Sequence, residues 1–371
     1  MRPAFSSTPQ AAAFALLLLV LLVAPALLGK STLPPREEIY SSIWWANGAF
    51  PYLDQQIFTE KGDIDIAFIG SSHIWNAFNT PYVQQQLSDK LGRPATVRTI
   101  GWGGAGYDEL YFIAHDLLQN RKVRMLVFYD SYNAQDRPNP LASRWFRFGD
   151  DADALQGLPL RLQAEYYFAA IIGLPRDLLN LLRPNLPADL HSASTAYWEN
   201  LPAARGENIS SNLGALKEHV GFSADSDNPG SFEPYEPPVE NRASDAVIYS
   251  PATRDQWEFT GHALPSWQLH FARRFAALGA EYGCKMVLVH VPAVDEMTAP
   301  VIRERQFWPE TLQADIGMVG IPPAKLFSGM TDEDVKKLYA DNFHMNKNGQ
   351  AYFTAIMTPS LLEFYVDQVP H

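Results

Sequence analysis

Ile64-Asp65-Ile66-Ala67-Phe68-Ile69-Gly70-Ser71-Ser72-His73 is the stretch on which the fold turns. Apolar residues fall on both faces of a strand drawn through about 64–70. That pattern belongs to a parallel strand buried between two layers, not to an antiparallel strand with one wet face. The run ends in a glycine and a pair of serines, so a hydroxyl stands at the carboxyl end of a buried strand. Near the other end of the chain comes Asp341-Asn342-Phe343-His344, followed by Met345-Asn346-Lys347-Asn348-Gly349. A serine at a strand end, with a carboxylate and an imidazole late in the chain, supplies the parts of serine-based acyl chemistry.

Working outward from the first strand, a helix is expected at about Pro81–Leu91 and a second strand near Ala95–Ile100. A glycine-rich turn (Gly101-Trp102-Gly103-Gly104-Ala105-Gly106) leads into a helix over Tyr107–Leu118, and Arg124–Tyr129 reads as a third strand. Strand, helix, strand, helix, strand at this spacing describes a doubly wound α/β sheet. The rhythm breaks between about 136 and 263, where prolines are frequent, a helical stretch spans Leu160–Leu182 and an acidic Pro/Asn/Ser segment surrounds Ser223–Arg242. So long an interruption reads as a functional insertion or a partly disordered segment. A helix at about Pro265–Tyr282, a very apolar strand at Lys285–Val291, a short strand near Gly317–Ile321 and a last helix from about Asn348 into Tyr365 restore the pattern.

Bulk properties narrow the function. The formal net charge of −12 and the absence of a Lys/Arg cluster argue against nucleic acid, because binding to phosphates needs clustered cations. The one cysteine, Cys284, lies in an apolar run, reads as a buried thiol and can form no intrachain disulfide. No His and carboxylate cluster has the spacing of a metal site, and no cofactor is expected. The glycine turn lacks the order and the downstream acid of a dinucleotide site.

Ala11–Leu28 is uncharged and apolar, with Arg2 before it and Lys30 and Arg36 after. It reads as a membrane anchor in preference to a cleaved signal, over residues 1–30. Either reading puts the rest of the chain outside the cytoplasm. A buried core helix is the plainer alternative. Residues 31–63, with Pro34-Pro35 and Trp44-Trp45, read as a connector, and 64–371 as one α/β domain carrying the insertion.

In open α/β sheets reactive groups gather at the carboxyl ends of the strands. Ser71-Ser72 follow the first strand, Gly103-Gly104 the second and Asp130-Ser131-Tyr132-Asn133 the third, while Asp341 and His344 precede the last helix. Parallel strands bring all four clusters to one edge. Each has a plainer use: Gly-Ser-Ser as a turn into a helix cap, Asp341 and Asp130 as turn formers, His290 as a core histidine. His73 adjoins Ser72, but sequence neighbours after a strand point in different directions.

These blocks resemble the SGNH (GDSL-type) hydrolase superfamily over about 64–133 and 265–365. Gly70-Ser71-Ser72 matches the family's Gly-Asp-Ser block with Ser71 in place of the aspartate, and puts Ser72 at the nucleophile position. Thr99-Ile100-Gly101-Trp102-Gly103-Gly104 resembles the second block, and Asp341-x-x-His344 with its following Asn-x-x-Gly matches the last. The third block departs: Gly-x-Asn-Asp is absent, and Asn133 stands in only if the loop is longer. The resemblance implies a flavodoxin-like three-layer sandwich with a central parallel sheet. It implies catalysis by Ser72, His344 and Asp341, with Gly104 and Asn133 in the oxyanion hole. Its layout is most similar to bacterial envelope members. That implies an esterase or O-acyltransferase working on an acetyl ester of an extracytoplasmic glycan or envelope polymer, with a membrane acyl-transfer protein as a partner. The insertion, with Trp145, Trp198 and Trp257, would cover the substrate; such rings can stack on sugars, and packing into the core is their plainer use. A non-catalytic binding or assembly subunit on the same fold is the rival expectation.

Overall fold

The computed structural model describes residues 7–27, 36–41, 49–102, 106–130, 138–139, 142–181, 247–248, 259–261, 264–294, 304–306, 308–321 and 323–369. In chain order the strands are β1 (Ile64–Ser71), β2 (Val97–Trp102), β3 (Val123–Tyr129), β4 (Val247–Ile248), β5 (Phe259–Gly261), β6 (Lys285–Val289), β7 (Glu304–Gln306) and β8 (Gly317–Gly320). The helices used below are α1 (Thr8–Leu27), α2 (Arg36–Ser41), α3 (Ala49–Asp54), α4 (Ser72–Ala77), α5 (Thr80–Leu91), α6 (Tyr107–Asn120), α7 (Ala142–Trp145), α8 (Phe148–Leu155), α9 (Leu160–Leu181), α10 (Ser266–Tyr282), α11 (Trp308–Leu312), α12 (Pro323–Leu326), α13 (Asp332–Lys336) and α14 (Lys347–Gln368).

Five strands form a parallel sheet in the order β2-β1-β3-β6-β8, and β4 adds an antiparallel edge against β8. That edge comes from within the 136–263 interruption, so part of the insertion completes the sheet. β5 and β7 form a separate antiparallel pair. Chain order explains the layers. From β1 the chain steps one way to β2, then back past β1 to β3 and onward to β6 and β8. Right-handed crossovers therefore put α5 on one face and α6, α10 and α11 on the other. The packing agrees: α6 lies against α10 and α10 against α11, while α14 returns to α4 and α5.

All of β1 is buried, as its two-sided apolar pattern predicts. The exception in its sequence, Asp65, is a clamp. Its carboxylate accepts from Arg93 (2.7 and 3.2 Å), from the Thr96 backbone N–H (2.9 Å) and from the Tyr365 hydroxyl (2.7 Å). Burial raises this carboxyl, but the hydrogen bonds outweigh it and hold the group below the usual carboxylate range. The start of β1, the entry to β2 and the far end of α14 are thus joined at one acid.

The connector docks by the same means. Arg36 of α2 pairs with buried Asp116 of α6 and, at 2.9 Å, with Asp151 of α8, and the Tyr40 hydroxyl donates to Asp116 (2.8 Å). Tyr40, Phe50 and Trp145 pack ring against ring, at 5.6 Å for Tyr40–Trp145 and 5.3 Å for Phe50–Trp145. Trp145 is fully buried by this contact. It is a core residue, the plainer of the two uses open to such a ring, and not available to stack on a sugar. Trp198 and Trp257 lie outside the described residues, as do Trp44 and Trp45. Cys284 is buried, and burial pushes its thiol up to about 12. Among the described residues no helix is long and apolar enough to cross a membrane, and no group of His, Cys, Asp and Glu could hold a metal ion.

Candidate active site

The direction of winding reverses at β1. β2 lies on one side of it and the rest of the parallel strands on the other, so the crevice at the carboxyl ends of β1 and β3 is the topological switch point of the sheet. Ser72 opens α4 at this crevice. Gly70 permits the turn that puts it there. A side chain at 70 would set a Cβ 2.7 Å from the Tyr129 ring, closer than such atoms approach. Ser71 then caps α4 by accepting from the His73 backbone N–H (3.3 Å), and its hydroxyl also shares a short hydrogen bond with the Tyr129 hydroxyl. Asn76 donates to the Ser72 carbonyl (2.8 Å) and tightens the first turn.

The partner of Ser72 arrives from 272 residues away in sequence. Its Oγ lies 2.9 Å from Nε2 of His344, and His344 Nδ1 lies 2.7 Å from Oδ2 of Asp341. With Nδ1 donating to the carboxylate, Nε2 carries the lone pair and faces the serine hydroxyl. That is the tautomer a general base needs. The other carboxylate oxygen of Asp341 accepts from the backbone N–H groups of Phe343 and His344, each at 2.8 Å. The Asp-x-x-His spacing thus builds a turn in which one acid holds both the backbone and the ring of the histidine. Burial raises the Asp341 carboxyl, while the His344 ring and the two backbone donors lower it more. The net position is below the usual carboxylate range, so the group is ionised at neutral pH.

The loop is braced from outside. The Tyr339 hydroxyl donates to the Pro292 carbonyl (2.6 Å), and Val294 N–H donates to the Asn342 carbonyl (3.0 Å). Asn346 caps α14 by accepting from the Asn348 and Gly349 N–H groups (2.9 and 3.1 Å). The Asn-x-x-Gly that follows the histidine is therefore a helix start. A Cβ on Gly349 would stand 2.0 Å from the Leu338 carbonyl oxygen, so the close approach of α14 to that loop requires glycine. Phe343 is exposed at the lip, with His73 stacked on it at 6.0 Å and meeting His344 edge-on at 5.4 Å. His73 is thus a neighbour of His344, and the ring that faces Ser72 Oγ is that of His344.

A second histidine–aspartate pair stands at the ends of β6 and β3. His290 Nδ1 and Asp130 Oδ2 are 2.6 Å apart, both almost fully buried. The sequence marks Asp130 as a turn former and His290 as a core histidine. The structure joins them into one brace. Tyr129 was missed altogether, since nothing in an apolar strand shows that its terminal hydroxyl reaches the neighbouring strand's serine.

Gly104 and Asn133 lie outside the described residues. The far end of the glycine turn is described, and it is tightly held. Tyr107 N–H donates to Gln268 (2.9 Å), while Asp108, fully buried, accepts from Asn139 N–H (2.9 Å) and the Tyr166 hydroxyl (2.7 Å). Burial pushes the Asp108 carboxyl up against those hydrogen bonds. A scan against protein-family models finds no match for the chain, and a search of curated proteins finds none either.

Proposed function

We propose that the chain is an SGNH-type serine esterase or O-acyltransferase on a flavodoxin-like three-layer scaffold. The observation that carries this reading is the relay Ser72 Oγ–His344 Nε2–Asp341, with legs of 2.9 and 2.7 Å at the switch point of the sheet. A helix cap or a turn would use one of these residues; neither needs all three in line. The strand order also supports it, because the parallel strands taken in sequence run 2-1-3-4-5, the flavodoxin-like order.

In this reading Ser72 Oγ attacks the ester carbonyl carbon while its proton passes to His344 Nε2. Asp341 keeps Nδ1 protonated and stabilises the imidazolium. The C–O bond to the alcohol breaks, the leaving oxygen takes the proton from His344, and the acyl group stays on Ser72. Water or a sugar hydroxyl then gives its proton to His344 and attacks the acyl carbon, and Ser72 leaves with that proton restored. Hydrolysis and transfer share every residue named. The resemblance assigns Gly104 and Asn133 to the oxyanion and an acetylated extracytoplasmic glycan or envelope polymer to the crevice. The charge-free N-terminal helix supports attachment to the membrane.

The test is covalent. The full chain is treated with a fluorophosphonate, and wild type is compared with Ser72→Ala and His344→Ala. Loss of labelling in both variants, each still folded by circular dichroism, is the expected result. Absence of labelling in folded wild type would favour the binding-subunit reading. Labelling that survives Ser72→Ala would assign the chemistry to another serine.

A further inference from the structure

Large apolar side chains open to solvent are concentrated in three places among the described residues. Six are on α1 (Phe14, Leu16, Leu17, Leu18, Leu19, Val20), three on α9 (Leu160, Phe168, Ile172), and the last is Phe343 at the lip of the site. α1 packs against α8 and α9, so nine of the ten belong to neighbouring helices.

The five consecutive positions Leu16–Val20 identify what surrounds α1. Successive helical residues point about 100° apart, so five in a row go right round the axis. A protein groove covers one face of a helix, and a second copy of the chain would do the same. A helix apolar on every side is satisfied by a surrounding apolar medium.

α9 has a defined inner and outer side. Tyr166 and Ala170 are buried, and the Tyr166 hydroxyl is tied to Asp108, so the helix cannot roll. Leu160, Ala164, Phe168 and Ile172 then fall at four-residue steps on the outer side, within an arc of about 120°. Phe168 and Ile172 are 59% and 65% exposed. Arg161 lies in this arc at its first turn, Glu165 stands at its margin, and the two pair at 3.1 Å. Paired charges at one end and large apolar groups along the rest are the arrangement of a helix lying in a membrane interface, its polar ends reaching the headgroups.

We propose that α9 is a second membrane contact, which lays Phe168 and Ile172 into the lipid beside α1. The proposal rests on reading α1 as the membrane element and adds a fixed orientation. A domain held by one helix swings on its connector, whereas one held by α1 and α9 keeps a constant face toward the bilayer. Through Tyr166 and Asp108, that face is linked to the start of α6 and the glycine turn.

The full chain is reconstituted in phosphatidylethanolamine–phosphatidylglycerol vesicles with an environment-sensitive fluorophore on single introduced cysteines. Cys284 is buried with its thiol pushed up to about 12, so it stays unlabelled in the folded chain. The sites are Phe168→Cys and Ile172→Cys on α9, Leu17→Cys on α1, and Asp89→Cys, an exposed residue of α5, as the control. Expected are blue-shifted emission and several-fold stronger quenching by acyl-chain nitroxides at 168 and 172 than at 89. Iodide quenching at 168 and 172 with nitroxide quenching at 17 would overturn the α9 contact and keep the α1 reading. Nitroxide quenching at 168 and 172 but not at 17 would keep the contact and overturn that reading. Water at all three sites sinks both. Shielding of 168 and 172 from both quenchers would assign the face to a protein partner and also overturn the proposal.

Discussion

Two histidine–aspartate pairs stand at the same edge of the sheet, and their surroundings make them different devices. In the loop before α14, Asp341 and His344 keep side-chain exposures of 33% and 19%, and the free ring nitrogen faces a serine hydroxyl. At the ends of β3 and β6, Asp130 and His290 keep 7% and 1%, in a contact of 2.6 Å. The bond within each pair is alike. Access separates them: a base must meet both the nucleophile and an incoming substrate, while a buried pair can only hold strands. The buried pair still serves the open one. His290 fixes the exit of β6, and the next residues, through Pro292 and Val294, support the loop that carries Asp341 and His344.

The sharpest way to break this comparison is to remove each histidine in turn. His344→Ala takes away the proposed base and is expected to slow serine labelling by about a million-fold, as when a triad histidine is lost. His290→Ala touches no reacting atom. It leaves Asp130 buried beside a cavity and is expected to cost about 3–5 kcal/mol of stability. Labelling of its folded fraction should stay within about tenfold of wild type, or roughly 1.4 kcal/mol of barrier. Denaturant melts and labelling rates on the same samples check both. Equal loss of labelling in the two variants would show that the buried pair takes part in the chemistry.

That contrast also marks what the sequence can show. Ser72 and the Asp341–His344 turn are legible because each is a local pattern: a buried strand ending in Gly-Ser-Ser, and an acid three residues before its histidine. Five parallel strands follow from apolar runs of the right length. The pairing of Asp130 with His290 spans 160 residues and depends on β3 and β6 being neighbours, which no local pattern states. Asp65 looks like a blemish in a core strand until Arg93, Thr96 and Tyr365 are seen around it. Trp145 carries no mark that distinguishes a core ring from a sugar platform. β4 is two residues long and antiparallel, too short to show any period.

A smaller effect probes the acids. Asp341→Asn keeps an acceptor for the backbone N–H groups but can stabilise the wrong ring tautomer, so labelling should fall by about 10⁴-fold with little change in fold. The pH dependence has a definite sign. The folded-state carboxyl of Asp341 sits below its ordinary value. Its stabilising contribution is therefore complete above about pH 5 and is lost as pH falls through the folded-state value, below the usual value of about 3.9. The melting-temperature gap between wild type and Asp341→Asn should be constant above about pH 5 and close in stronger acid. A gap that widens with acid would mean that the carboxyl is not held ionised by His344 and the two backbone donors.

The smallest expected change tests whether Tyr129 belongs with the open pair or the buried one. Its hydroxyl meets Ser71 Oγ, its ring lies over Gly70, and the residue after it is Asp130. Tyr129 at the end of β3 and Asp130 just after it thus hold the Ser72 turn on one side and the buried pair on the other. Tyr129→Phe keeps the ring and removes one hydrogen bond, while Ser71 Oγ retains the His73 N–H donor at 3.3 Å. The loss should be about 1 kcal/mol of stability, and less than about tenfold in labelling rate. A loss as large as that of Asp341→Asn would make Tyr129 a group that acts on the substrate. No change in either quantity would mean that the Ser71 cap stands without it, and that Gly70 and the His73 N–H alone set the turn on which Ser72 is presented.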